Sequence, residues 1–264
     1  MKIIEKEEKS SISRNERILL EKLKNTIVFD IETAARISGW KKKNIYQLID
    51  SMKKKGLIMK IGAGKYVVCF PDKPDISEIV TKIIWPSYVS FWTALSRHGF
   101  TEQLPRTYFL VTTRMNRKMS INNIEIIFVK LSASRFFGYE KRESIVIADK
   151  EKSIIDSFLL SRYSGGIEEV FKCLCNAWDE LDIKKLMEYA LRMNNKSLLK
   201  RLGYLIEVAS LRIDKEHLKT LQKKLGKGFS LLDPQLEKKG ELEKKWQLVL
   251  NVSKEQLFSW KRIM

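Results

Sequence analysis

Apolar residues recur with helical spacing after Lys41, where Ile45, Leu48, Ile49 and Met52 fall at i, i+3, i+4 and i+7 and make one stripe. Lys53, Lys54, Lys55 and Gly56 follow, cations for a last turn and a glycine suited to a left-handed cap, so a helix is expected to stop there. Upstream, Ile31, Ala34, Ala35 and Ile37 predict a short helix that ends near Gly39. Downstream, residues 57–61 and 65–70 read as two strands joined by Gly62, Ala63 and Gly64, residues that suit a tight or slightly bulged hairpin turn. A helix running to about Lys24, capped by Asn15, and a β-branched and aromatic strand over 26–29 complete this part, behind a mobile lead-in over residues 1–13.

Pro71, Asp72, Lys73 and Pro74 break the pattern, and the domain boundary is placed there. Beyond it, helices are expected over 75–84 with Asp75 as cap, over 88–98 with Phe91, Ala94 and Leu95 buried, and over 150–160 with Asp149 as cap. Strands are expected over 107–113, 124–129 and 145–148, with a turn at Asn122 and Asn123. Four helical stretches follow, 167–178, 182–192, 197–209 and 214–225, then a tail with a strand over 245–252 and a short helix capped by Ser253. The chain thus reads as α+β and helix-rich. An N-terminal part spans 14–72, and a second spans 75–264, itself mixed α/β over 75–161 and mainly helical over 163–264.

Helix, tight turn, basic helix and hairpin, in that order, predict a winged helix-turn-helix over 14–72. Its second helix would bury the apolar stripe and leave Lys42, Lys43, Tyr46, Gln47, Asp50 and Lys54 outward. Recognition helices meet bases mainly from their N-terminal turns. Lys41, Lys42 and Lys43 stand there, placed to neutralise phosphates, with Tyr46 and Gln47 one turn on, able to touch methyl groups or base edges. Lys60 and Lys65 flank the wing tip. Double-stranded DNA is therefore the expected partner; a solvated basic face on a small interaction domain is the alternative.

Charge widens this reading without locating it. The 264 residues carry 50 Lys and Arg against 32 Asp and Glu, a formal +18 spread over the whole chain, which favours any polyanion. Three cysteines, Cys69, Cys173 and Cys175, are too few for a disulfide framework and fit a reducing compartment. No apolar run reaches the roughly 18 residues of a membrane span, and the charged N-terminus lacks a signal core, so a soluble cytoplasmic protein is expected, with no membrane partner.

Catalytic signals are absent from the sequence. There are only two histidines, His98 and His217, to serve a nucleophile, and both are expected in surface or satisfied roles. No phosphate-loop glycine pattern occurs, and no metal or cofactor is expected. Asp149, Glu151 and Lys152 have the residue types of an acidic-plus-lysine nuclease site, yet they fall where a helix begins, and capping is the simpler task for Asp149.

Further motifs bring in a family. YVSFWTALSRHGFTEQLP from Tyr88, FLVTTRMNRK from Phe109, FFGYE from Phe136 and VIADKEKSIIDSF from Val146 resemble the AbiEi family, the antitoxin half of type IV abortive-infection toxin–antitoxin pairs, also described as viral-defence transcriptional regulators. GKYVV in the winged stretch and the tail residues Leu232, Asp233, Pro234, Gly240, Trp246 and Asn251 agree. The resemblance implies a repressor whose winged helix binds inverted repeats in its own promoter. It also implies a C-terminal antitoxin part that opposes a nucleotidyltransferase-like toxin. Arg114, Arg117 and Lys118, after the 107–113 strand, are candidates to face that toxin or its nucleic-acid substrate. The three-lysine opening of the expected recognition helix departs from the Ser/Arg mixtures of relatives, so the operator does not carry over. A regulator of another class, whose winged helix contacts protein or senses a ligand without antitoxin activity, is the alternative.

Overall fold

A computed structural model describes residues 11–62 and 64–262; most of the expected lead-in, and Ala63 of the expected turn, lie outside them. The chain is mixed α+β and forms two compact units. The first runs to Ile84 and includes Met119–Ile121; the second comprises Trp85–Lys118 and the residues from Asn122 on.

The first unit begins with α1 (Arg14–Leu23), β1 (Val28–Asp30), α2 (Ile31–Ser38) and α3 (Lys42–Lys54), followed by β2 (Ile58–Gly62), β3 (Lys65–Val68) and α4 (Ile76–Ile83). Ser13, not Asn15, starts α1: its hydroxyl accepts from Glu16 N–H while the Glu16 carboxylate takes the Ser13 N–H, a complete capping box. The pattern Ser-x-x-Glu was present in the sequence, one turn ahead of the first apolar residue. Asp30 caps α2 by accepting from Thr33 N–H at 2.7 Å, and Gly39 closes it at φ 77°, where a side chain would be strained. The strands pair in the order β1-β3-β2, all antiparallel, with an irregularity between Lys60 and Gly62. Leu19, Leu23, Phe29, Ala34, Ile45, Ile49 and Met52 form the core. The unit extends past Pro71–Pro74, because α4 packs on β1 and the Lys65 ammonium donates to the Ile83 carbonyl at 2.6 Å.

The second unit opens with β4 (Ser87–Val89), α5 (Phe91–Arg97), β5 (Thr107–Thr112), the start of β6 (Arg117–Ile121), whose Met119–Ile121 belong to the first unit, and β7 (Ile124–Lys130). β8 (Tyr139–Arg142), β9 (Ile145–Ala148) and α6 (Lys150–Leu159) follow. Its sheet has six strands ordered β6-β7-β5-β4-β9-β8. Three of them differ from the sequence expectation. Tyr88 and Val89 are strand and Ser90 is the N-cap of α5, so none of the three starts the helix; all three residues of β4 are buried, so no alternation distinguishes them from a helix face. β6 and β8 are the two edge strands; β8 is polar and exposed throughout, and in β6 only Met119 and Ile121 alternate with the exposed Lys118 and Ser120, too short a period to stand out.

The helical layer comprises α7 (Ile167–Ala177), α8 (Ile183–Arg192), α9 (Lys196–Val208) and α10 (Lys215–Gln222). The tail adds β10 (Ser230–Leu231), β11 (Glu241–Glu243), β12 (Leu248–Leu250) and α11 (Lys254–Leu257). β12 lies between β10 and β11, so the expected 245–252 strand is shorter and has neighbours that were not foreseen. α6 packs against α5, α7, α8 and α9 and supplies Ile154, Ile155 and Phe158 to the core. Trp246 is buried against Gly203 of α9, and its indole N–H donates to the Glu207 carboxylate at 2.9 Å.

The packing of Trp246 on Gly203 yields a sign test. Helix propensity favours alanine over glycine by about 1 kcal/mol. A Cβ at Gly203, however, would lie 2.1 Å from the Trp246 ring. Gly203→Ala is therefore expected to destabilise the second unit by about 1–3 kcal/mol, measured by urea unfolding; a gain in stability would mean that the ring moves aside freely.

Candidate nucleic-acid interface

α2 ends at Ser38 and α3 begins at Lys42, so the connection is Gly39, Trp40 and Lys41. The Lys22 ammonium donates to the Ser38 carbonyl at 3.1 Å and holds the end of α2 against α1. Ile45, Ile49 and Met52 are fully buried and Leu48 is half-buried, which fixes the opposite face of α3 outward. Lys41, Lys42, Lys43, Asn44, Tyr46 and Gln47 are all exposed, Tyr46 by 59%. Lys41, the N-cap, makes no side-chain cap bond, so the first N–H groups of α3 remain open to solvent partners.

Not every expected cation is free. Lys42 pairs with Glu32 of α2 at 2.6 Å, both side chains well exposed, and that bond raises the lysine pKa. Lys41 and Lys43 have no ion pair among the described residues. Lys54, one of the outward cations, is turned to Asp50 at 2.9 Å. Lys60 is exposed on β2, whereas Lys65 is half-buried and committed to α4. The two hairpin lysines thus separate: one faces solvent and the other braces its own unit. The partners of Lys42 and Lys65 lie ten and eighteen residues away in sequence, and no local pattern announces them.

A polar cleft of about 530 Å³ borders α1 and α3, lined among others by Asn15, Trp40, Asn44 and Gln47. Below it lies a buried carboxylate that the sequence reading missed. Glu16 of α1 is 1% exposed and accepts from Ser51 Oγ and from the Lys55 ammonium, both at 2.7 Å. Burial works against its charge, but the bonds from Lys55, Ser51 and Ser13 prevail and hold its pKa down at about 2. The C-terminal end of α3 is thereby fastened to α1.

In the second unit, Arg114 is exposed and its Nε donates to the Trp85 carbonyl at 3.2 Å. Arg117 and Lys118 begin an edge strand; Arg117 is half-buried, and Lys118 pairs with Glu125 at 2.6 Å. The three do not form one unpaired basic patch.

Asp149, Glu151 and Lys152 divide among separate structural tasks. Asp149 caps α6, accepting from Lys152 N–H at 2.8 Å, and also takes the Tyr189 hydroxyl at 3.0 Å. Glu151 accepts the Asp182 N–H ahead of α8 at 2.9 Å, and Lys185 bridges both carboxylates. The Lys152 ammonium is fully buried and donates to Asp156 and to the Tyr88 hydroxyl. His98 is satisfied by the Ala148 carbonyl at 2.8 Å, and burial lowers its pKa. Cys173 and Cys175 are free thiols whose pKa values burial pushes up, to about 11 for Cys175. Among the described residues no group of His, Cys, Asp or Glu could hold a metal ion, and no helix is long and apolar enough to cross a membrane.

No family model matches the chain, and no curated protein matches it. Its fold is similar to the crystal structure of the RV2827C protein from Mycobacterium tuberculosis, with a TM-score of 0.64 at 10% identity over 96% of each chain.

The Glu16 site makes a pH prediction. A carboxylate whose folded pKa lies near 2, below an ordinary value of 4.5, contributes stability that is fully present above pH 4.5. That contribution is lost as pH falls towards 2. Glu16→Gln is expected to weaken the first unit at pH 7 and to remove this pH dependence, so variant and parent converge in acid. Amide hydrogen exchange in α1 and α3 across the range checks it; parallel curves for the two proteins would contradict the assignment.

Proposed function

We propose that the chain is a DNA-binding transcriptional repressor of the AbiEi type, whose first unit acts as a winged helix-turn-helix on inverted repeats in its own promoter. α3 is then the recognition helix and β2–β3 the wing. The observation that carries this reading is the N-terminal turn of α3. It exposes Lys41, Lys43, Tyr46 and Gln47 together, two of them cations without ion-pair partners among the described residues, at a helix start with open N–H groups. In this reading Lys41 and Lys43 neutralise phosphates, Lys42 does so only by releasing Glu32, and Gln47 with Tyr46 reads bases. Lys60 contributes from the wing.

The antitoxin role rests on the family resemblance and is proposed for the second unit, which opposes a nucleotidyltransferase-like toxin without itself being an enzyme. A second reading, a winged helix that contacts protein, draws on a cleft of about 440 Å³ where Ile12, Leu20, Val68, Phe70 and Pro71 are flanked by Arg17, Glu21 and Lys24.

Fluorescence anisotropy of the full chain on DNA from upstream of its gene separates these readings. Replacing Lys41 and Lys43 by alanine is expected to reduce the slope of log K against log salt by up to about 1.8, roughly 0.9 for each phosphate no longer neutralised. Lys42→Ala alone should change it less. Gln47→Ala should narrow the gap between operator and random DNA by about 1–3 kcal/mol. A folded Lys41/Lys43 variant that keeps the full slope would remove α3 from the interface and favour the protein-contact reading.

Division of labour is tested in cells. The full chain carrying alanines at Lys41, Lys43 and Gln47 is co-expressed with a nucleotidyltransferase-like toxin of the kind the family resemblance implies. Growth should be rescued as well as by the parent while repression of a promoter reporter is lost. Loss of rescue together with repression would place antitoxicity in the first unit.

A further inference from the structure

Among the described residues, three buried side-chain polar atoms have no hydrogen-bond partner: Trp92 Nε1, Ser161 Oγ and Gln247 Oε1. Ser161, 2% exposed, borders a cavity of about 510 Å³ in the second unit. Arg162, Asn195, Ser197 and Arg201 line the same cavity, and no carboxylate does. Arg201 is only 7% exposed. Its Nε donates to the Leu231 carbonyl at 2.9 Å, which orients the guanidinium and leaves both terminal nitrogens without a partner among the described residues. Asp233, whose charge acts on Arg201, is occupied by the N–H groups of Ile167 and Gln235. Asn195 caps α9 through its Oδ1, bonded to Leu198 N–H at 2.9 Å, so its amide N–H groups remain available. The Ser197 hydroxyl shares a hydrogen with Ser230 at 2.9 Å.

An unpartnered buried hydroxyl is costly, and so is a largely buried guanidinium whose neighbouring carboxylate, Asp233, is bonded elsewhere. They persist together beside the start of a 13-residue helix, α9, whose dipole favours negative charge, while Leu159 and Leu160 bring the opposite end of α6 to the same cavity and leave the arginines to decide its sign. Everything that faces the space is a donor or neutral, and an arginine fork matches a tetrahedral oxyanion with two parallel bonds. The volume is within the roughly 300–1,000 Å³ of small-molecule sites and exceeds what a bare inorganic ion fills. We infer that this cavity binds the phosphate group of a small phosphorylated molecule of nucleotide size, held by Arg201, Arg162 and Ser161. The inference stands on residues of the second unit alone and is independent of the DNA-binding reading.

Isothermal titration calorimetry on the full chain tests it with adenosine monophosphate, adenosine, inorganic phosphate and acetate. Adenosine monophosphate is expected to bind, inorganic phosphate more weakly, and adenosine and acetate not at all within the same range. Arg162→Gln, at an exposed position, should weaken adenosine monophosphate at least about tenfold, the scale of a charged hydrogen bond. Ser161→Ala should weaken it about fivefold while raising the melting temperature of the free protein, because it deletes a buried group that has no partner. A structural serine would lower the melting temperature instead. Equal binding of inorganic phosphate and the nucleotide would overturn the size assignment, and equal binding of adenosine and its monophosphate would overturn the phosphate assignment. Absence of binding at millimolar nucleotide, or binding untouched by both substitutions, would overturn the site.

Discussion

The second unit depends on one desolvated charge pair. Lys152 and Asp156, a turn apart on α6, are both fully buried, and removing each ion from water costs several kcal/mol. The structure offsets that cost by surrounding both. Asp156 accepts from Tyr88 at 3.0 Å and from Ser90 at 2.7 Å as well as from Lys152; the ammonium also meets Tyr88 at 2.9 Å and lies 4.9 Å from the centre of the Phe137 ring. Burial lowers the Lys152 pKa and raises that of the Tyr88 phenol, while Asp156 favours the charged lysine. Gly138 belongs to the same arrangement: at φ 69° it passes so close that a Cβ would lie 2.8 Å from Tyr189 and 3.0 Å from Lys152. Strand β4, helix α6 and the turn before β8 can therefore meet in one register only.

This network also explains what the family-like motifs are made of. FFGYE supplies Phe137 and Gly138, VIADKEKSIIDSF supplies Asp149, Lys152 and Asp156, and YVS supplies Tyr88 and Ser90. The tail residues behave alike. Asn251 exchanges bonds with both the N–H and the carbonyl of Asp233, Gly240 sits where a Cβ would strike the Leu250 carbonyl at 2.0 Å, and Trp246 closes on Gly203. These residues hold the unit together, so the motifs speak first to architecture and only through it to activity.

The sequence was most legible where one element's own residues decide its state. The stripe of α3, the caps Asp75 and Asp149, and the glycine ending α2 were readable because spacing and cap chemistry are local. The exposed β8 and the wholly buried β4 were not, since neither carries a period of its own, and the alternation in β6 is confined to Met119 and Ile121. In the candidate interface, exposure of Lys41, Lys43, Tyr46 and Gln47 followed from the stripe. The pairing of Lys42 with Glu32 and the diversion of Lys65 to Ile83 did not, because ion pairs between elements depend on tertiary placement. The cluster of Ser161, Arg162 and Arg201 was invisible for the same reason: each is unremarkable in its own segment.

The Tyr88–Asp156 and Ser90–Asp156 bonds join groups 68 and 66 residues apart, and Val89 pairs in parallel with Ile147 across a similar span. Closing a loop of that length costs chain entropy before the bonds it permits can form. β4 can take β5 as a neighbour early, but its other side stays an open strand edge until β9 and α6 have left the ribosome. During synthesis the nascent sheet therefore passes through a stage with unpaired backbone and with the Tyr88 and Ser90 hydroxyls still lacking Asp156. That interval is where a folding helper, or an errant strand from another chain, would find its opportunity.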